Sequence, residues 1–429
     1  MTPRPSTFAD VVSDEAVARA VEAEAEWIED LTARLVAIPS TLGNEEPAQV
    51  VVAEAIRELG LDPVDIPLDA DELRASPFVA PFSWPVDGKR NVAATWAAAG
   101  TGGRSLALNG HVDVVPPAAA DLWTSDPFVA TRDGDWLVGR GTGDMKAGLA
   151  AMLGAVRALR GLGLAPLADL QLQSVVEEEC GGNGALQCVL SLPAVDACVI
   201  PEPFPGAIST SQVGVLWFLV DLVGVPAHVG DAHDGINAIE AAFPLVARLR
   251  QLEAELNEAP PAPYDTIPHP INLNVGLIDG GDWISTVAAS CTLGCRLAVY
   301  PGQPVAELMR RVEEAVAEAA ADHPWLAKHP PRVRYDGFAG NGVEVASDAA
   351  IVRALAAAHL AATDTEPVLV PTTATTDARA FVESGIPAVC FGPHAEAIHG
   401  IDERVYVPSV IETARVLATL VRDWCGVTA

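Results

Sequence analysis

Along most of this chain, short apolar runs break off abruptly into polar or glycine-rich loops and alternate with segments of helical period. RSLALNGHVDVVP (104–116), DLQLQSVVEEE (169–179), VDACVIPEP (195–203) and GIPAVCFGPHAEAIHG (385–400) each read as a buried strand that ends in an acid, a histidine or both. Between the first two lies MKAGLAAMLGAVRALRGLG (145–163), an apolar helix closed by glycine. Alternation of this kind predicts an α/β domain with a mostly parallel central sheet. In such sheets ligands collect beyond the carboxyl ends of the strands, and that is where these polar residues fall.

The pattern is interrupted once. VGVLWFLVDLVG (213–224) is a strand and INAIEAAFPLVARLRQLEAELNE (236–258) a helix. After a proline-rich loop come two strands, INLNVGLI (271–278) and CTLGCRLAVYP (291–301), a second helix over 304–323, and a final strand in PRVRYDG (331–337). The order β-α-β-β-α-β is that of a ferredoxin-like α+β unit. The chain is therefore expected to form a discontinuous domain from residues 1–212 and 337–429, with residues 213–336 inserted. Ahead of the first motif, one amphipathic helix is expected over 14–38 and a second from Asn44 to about Leu59. A strand with a long loop is expected over 61–92.

Half of the 429 residues are hydrophobic and the formal net charge is −31. That charge disfavours nucleic acid and anionic membrane surfaces as partners, since both require Lys and Arg. No apolar stretch reaches the roughly 20 residues of a membrane span. The opening MTPRPSTFADVVSDE lacks the basic and apolar regions of a signal peptide. The seven cysteines have neither zinc-ribbon nor CxxC spacing, and Cys291 and Cys295 sit in an apolar strand. A reducing cytoplasm is expected.

Five sites carry candidate chemistry. In GHVDVVP, His111 is a potential metal ligand, and Asp113 is placed to accept its second ring N–H. In GRGTGDMKAG the glycines permit an irregular backbone around Asp144, a carboxylate able to bridge two cations. The segment is neither a Walker A loop nor a full GxGxxG pattern. Three successive acids, Glu177 to Glu179, repel one another unless a dication neutralises them. One of them can then be a ligand and its neighbour a free base. Glu202 is pinned between prolines, and His399 precedes a glycine. Two histidines and three carboxylates suit zinc or another borderline first-row metal better than calcium.

These motifs, with WTSDPF, GVPAHVG and GINAIEAA in the same order, resemble the co-catalytic zinc family of acetylornithine deacetylase, succinyl-diaminopimelate desuccinylase, aminoacylase and glutamate carboxypeptidase. The likeness runs from about residue 90 to 407. It implies that His111 and Glu202 bind one Zn2+, that Glu179 and His399 bind the other, and that Asp144 bridges them. Co2+ or Mn2+ are possible substitutes. Glu178 is implied as the general base, Asp113 as the residue orienting His111, and the bond after Asp144 as cis. The inserted domain is implied to be a lid and homodimerisation unit. His228 would stabilise the oxyanion from its own or a partner's site, and Asn274 and Arg296 would contact substrate. Such relatives usually carry an acid two residues before that arginine, where this chain has Gly294. Thr376, Asp377 and Arg379 resemble a segment near the cleft, with a structural role the simpler reading. His394 competes with His399 as a ligand.

The expected activity is removal of an acyl group from an N-acyl amino acid or related small molecule by amide hydrolysis. Two alternatives stand beside it. One is a metallo-dipeptidase or carboxypeptidase; the other is an inactive metal-binding scaffold, against which the intact Glu178 argues.

Overall fold

The structure, a computed structural model, describes residues 11–429. Most of the opening segment read for a signal peptide lies outside that range. Nine strands form the main sheet, in the order Val64–Pro67, Arg90–Trp96, Leu170–Val175, Leu106–His111, Cys198–Ile200, Ala388–Cys390, Ala207–Gln212 and Val343–Glu344, with Val368–Thr372 also paired to Ala207–Gln212. The sheet is mixed rather than mostly parallel. Its four central strands, 170–175, 106–111, 198–200 and 388–390, are parallel to one another. Towards one edge 90–96 and 64–67 join antiparallel, and towards the other 207–212 and 343–344 do. The apolar runs that promised parallel pairing are the central four, which are buried along their whole length. Because they run the same way, their carboxyl ends share one rim.

The helix Ala147–Gly161 is apolar nearly all round and correspondingly buried. It packs against Ala25–Val36 and Val407–Trp424, while Asn183–Ser191 packs against Ala378–Glu383 and the sheet. Gly148 is required where that helix starts, since a Cβ there would lie 2.0 Å from the Pro201 carbonyl oxygen. The approach brings the helix N-terminus beside the segment that carries Glu202.

Two expectations about the N-terminal third are corrected. The 14–38 segment is two helices, Asp14–Glu22 and Ala25–Val36. Between them Glu24 turns to accept a hydrogen bond from Arg157 Nε at 2.6 Å. The 61–92 stretch contains a short helix, Ala70–Ala75, capped by Asp69, whose carboxylate accepts from the backbone of Asp71 and Glu72.

Residues 214–340 build a second sheet with its own core. Its main path runs Asn274–Gly280, Ser290–Val299, Gly214–Val223, Arg332–Arg334, all antiparallel. The helices Ala238–Leu256 and Val305–Ala321 pack on each other and on one face of this sheet. The apolar cores of the two sheets are separate clusters. All seven cysteines are buried and unpaired. Among the described residues no helix is long and apolar enough to cross a membrane.

Candidate metal centre and its cavity

His111 ends the strand Leu106–His111 and is fully buried. Its Nε2 lies 3.0 Å from Asp144 Oδ1, 3.6 Å from Glu202 Oε1 and 3.9 Å from Glu178 Oε2. On the far side of Asp144, His399 Nε2 lies 3.3 Å from Asp144 Oδ2 and 3.1 Å from Glu179 Oε2. Two groups with metal-ligand geometry result, His111–Asp144–Glu202 and Asp144–Glu179–His399, each with its ligand atoms within 4.8 Å of one another. Asp144 is common to both. The Asp144–Met145 peptide bond is cis.

Electrostatics agree with that donor set. Burial pushes Glu178 well above the ordinary carboxylate range and Glu202 up to about 7. Burial opposes a charge on His399, but the carboxylates of Asp144 and Glu179 outweigh it and hold the imidazole up to about 10. Asp144, between two imidazoles, is held below its usual value in spite of burial. Among the described residues, the ion-pair partners of Asp144, Glu178, Glu179 and Glu202 are His111 and His399, with no Lys or Arg. Closely spaced carboxylates interleaved with imidazoles are the chemistry of a divalent-metal site, so these residues fit a metal pair.

Asp113 differs in detail from its expectation. The His111 Nδ1 hydrogen bond, 2.9 Å long, goes to the main-chain carbonyl of Asp113, and the Asp113 carboxylate stands 3.7 Å from that nitrogen. Its oxygens instead accept from the backbone N–H of Glu178 at 3.3 Å and of Glu179 at 3.0 Å. One residue thus orients the imidazole and also fixes the turn that carries the two glutamates. That turn starts at Glu177 with φ 65°, and His399 has φ 61°. Left-handed backbone at non-glycine residues costs on the order of 1–3 kcal/mol and gathers at functional sites.

Glu403 has a part that its sequence position did not reveal. Its Oε1 accepts from the backbone N–H of Gly143 at 2.9 Å and of Asp144 at 3.0 Å. Its Oε2 accepts from Gly141 N at 3.1 Å and pairs with the Arg140 guanidinium. The carboxylate sits inside the glycine-rich loop as a clasp four residues beyond His399. Lys146, conspicuous in that loop, points away from the cleft and donates to the carbonyls of Leu35 and Ile38 at the end of a helix. Asp377 and Arg379 are buried near the turn after Glu179, with Arg379 donating to Gly181 O at 2.9 Å. Thr376 donates to Gln212. His394 stacks edge-on against Trp136 rather than entering either ligand group.

Above the centre opens a cavity of about 770 Å³ lined by Glu178, Glu179 and His399 from one side, and by Asn274 and Arg296 from the second sheet. Arg296 is paired across strands with both Asn274 and Trp217, so the three form one row. His228 does not line this cavity; it is exposed, with Nδ1 accepting from Gly230 N at 3.0 Å. Trp84 is a wall that the sequence did not flag. Its indole N–H donates to Glu177 Oε1 at 2.8 Å, and Lys89 binds the same oxygen at 2.8 Å.

Residues 107–423 match the family described as "Peptidase family M20/M25/M40". The chain is 30% identical over 350 residues to an N-formyl-4-amino-5-aminomethyl-2-methylpyrimidine deformylase of Halalkalibacterium halodurans, covering 75% of this chain and 79% of the relative. It is 29% identical over 350 residues to an acetylornithine deacetylase of Edwardsiella ictaluri, covering 80% and 86%. Its fold is similar to human carnosine dipeptidase 1, with TM-score 0.77, 16% identity and coverage of 96% and 99%. It is also similar to a di-peptidase of Saccharomyces cerevisiae, with TM-score 0.78, 13% identity and coverage of 96% and 98%.

Proposed function

The chain belongs to peptidase family M20/M25/M40, and from that premise we propose that its cleft hydrolyses a linear amide, removing an acyl group from an N-acyl amino acid or a related small molecule. The observation that carries this reading is the pair of ligand groups joined through Asp144, with Glu178 beside them at the cavity floor. Sequence relatives named for removing formyl, succinyl and acetyl groups support acyl removal.

His111, Glu202 and Asp144 would hold one metal, and Asp144, Glu179 and His399 the other. Zinc fits this nitrogen and oxygen set best, with cobalt or manganese able to replace it. When bound, the metal pair supplies Lewis acidity to the amide carbonyl and to the attacking water. Glu178 takes a proton from that water as the new C–O bond forms. It then delivers the proton to the nitrogen as the C–N bond breaks, leaving a carboxylate and a free amine. Asp113, through the backbone of residues 178 and 179, holds the base against its neighbour. Arg296 and Asn274 bind the substrate's polar end, the guanidinium meeting a carboxylate in bidentate fashion.

Residues 213–336 act in this reading as a lid and a homodimerisation domain inserted between 1–212 and 337–429. Ile278, Trp283 and Ile284 are all more than half exposed on the edge strand and the turn after it, which supports a covered surface there. His228 would then serve the site of the second copy, holding the oxyanion.

Purified protein should carry two equivalents of metal and hydrolyse N-acyl amino acids faster than dipeptides. Glu178→Gln should keep both metals and lose turnover on the order of 10³-fold. Normal turnover by that variant sinks the assignment of the base.

A further inference from the structure

The row that carries Arg296 continues into an apolar shelf. Trp217 stands beside Arg296 across the strands, and its ring meets Phe338 in a T-shaped contact with centroids 5.3 Å apart. One register step further along the same face, Gly294 lies between Leu219 and Leu277. A Cβ at Gly294 would come within 2.9 Å of Leu277 Cβ and 3.6 Å of Leu219 Cδ2, so the glycine leaves the two leucines a continuous surface. Trp84 closes the cavity from the main sheet's side.

Charge on this face is lopsided. Among the described residues, Arg296 has no carboxylate partner; its one hydrogen bond goes to Thr373 O at 3.2 Å. Asp221 and Arg334, further along, satisfy each other. The acids lining the cavity are Glu178 and Glu179 at the centre and Asp336, whose Oδ2 accepts from Ser83 at 2.5 Å. A substrate carboxylate therefore finds a partner here. The shelf residues Trp217, Leu219, Leu277 and Gly294 offer no acid of their own, so a second cationic group lying on them would be desolvated unpaired, and Asp336 at the shelf's end is already engaged by Ser83. Directly opposed cross-strand side chains stand about 5 Å apart, close to the separation of the carboxylate and ring in an aromatic amino acid.

We propose that this cavity selects N-acyl amino acids with a large apolar, best aromatic, side chain, with Trp217 and Gly294 as the specificity-determining residues. The proposal rests on the amide-hydrolase reading above. It predicts poor use of N-acyl diamino acids, whose second ammonium the shelf rejects. It also predicts poor use of acylated arylmethylamines, which lack the anion for Arg296.

The test uses the full-length, zinc-loaded protein and N-acetyl derivatives of phenylalanine, leucine, alanine, ornithine and aspartate, with N-formylbenzylamine as the anion-free aromatic. The phenylalanine derivative should exceed the alanine one in kcat/KM by about 10- to 100-fold, the discrimination that an apolar pocket supports. Trp217→Ala should collapse that ratio to below about threefold, and Gly294→Ala, whose Cβ must displace Leu277, should break the shelf and lower the same ratio. Equal use of phenylalanine and alanine derivatives, or preference for ornithine, aspartate or N-formylbenzylamine, overturns the proposal. Absence of hydrolysis across the panel instead removes the amide-hydrolase reading. Calorimetric binding to Glu178→Gln then decides the specificity by itself. N-acetylphenylalanine must bind about tenfold more tightly than N-acetylalanine, and a smaller difference ends the proposal.

Discussion

Glu403 gathers three backbone N–H groups and a buried guanidinium around one carboxylate, and one of those N–H groups belongs to Asp144. Asp144 can serve two ligand groups only if its backbone is held still, and outer partners of this kind typically change metal affinity by about 10- to 100-fold. Glu403→Gln keeps the shape but loses the charge opposite Arg140, with both side chains about 1% exposed. We expect weaker metal binding in that range, read by competition with a chromogenic chelator, and lower stability by about 3 kcal/mol from the uncompensated arginine. Wild-type metal affinity in the variant would show that the clasp does not hold Asp144. This contact joins residues 263 apart, and its role was not legible in the string AIHGIDE. The candidate ligands were legible because Asp144 stands in a glycine-rich loop and the other four follow apolar runs. Glu403 was not, because its partners are main-chain groups of another segment. Trp84 was hidden for the same reason: its anchor, Glu177, is 93 residues away.

The main elements of the second sheet followed the sequence, since Gly214–Val223, Ser290–Val299 and the two helices are long and strongly periodic. The proline-rich loop after the helix Ala238–Leu256 had no such period, and its placement comes from Glu253. That carboxylate, 7% exposed, accepts from Leu273 N at 2.7 Å, Arg250 Nη1 at 2.9 Å and His269 Nε2 at 3.3 Å. Burial alone would raise its pKa, but these donors prevail and hold it below the usual glutamate value. A lowered folded-state pKa contributes stability above the unfolded pKa, near 4.3, and loses it as pH falls through the folded value. Glu253→Gln should therefore lower the melting temperature at pH 7, by a loss of about 1 kcal/mol, and by less at pH 4. An equal effect at both pH values would mean that the charge is irrelevant. The edges of the main sheet were less legible than its centre. Arg90–Trp96 is a buried strand, yet it follows a stretch rich in proline and aspartate, and its antiparallel pairing is set by Leu170–Val175 rather than by its own pattern.

At the scale of the molecule, the two candidate ligand groups join chain segments that lie on either side of the second sheet in sequence. His111, Asp144, Glu179 and Glu202 precede the second sheet and His399 follows it, while no residue between 213 and 336 belongs to either group. A metal pair is then a cross-link between the two parts of the main sheet's domain, and it leaves the second core untouched. Binding to the folded state alone stabilises by about 4 kcal/mol when free metal is 1,000 times its dissociation constant. Removing metal with a chelator should lower the melting temperature and speed amide hydrogen exchange at the strand ends around 111–116, 176–182 and 395–403. Exchange at Leu216, Phe218 and Val220, buried under the helices of the second sheet, should not change. Readdition of zinc should restore protection at the strand ends. Uniform loss of protection across both cores would mean that the two sheets unfold as one unit. No change at the strand ends would mean that the carboxylates and histidines hold their places without a cation, and the cross-linking role would fail with it.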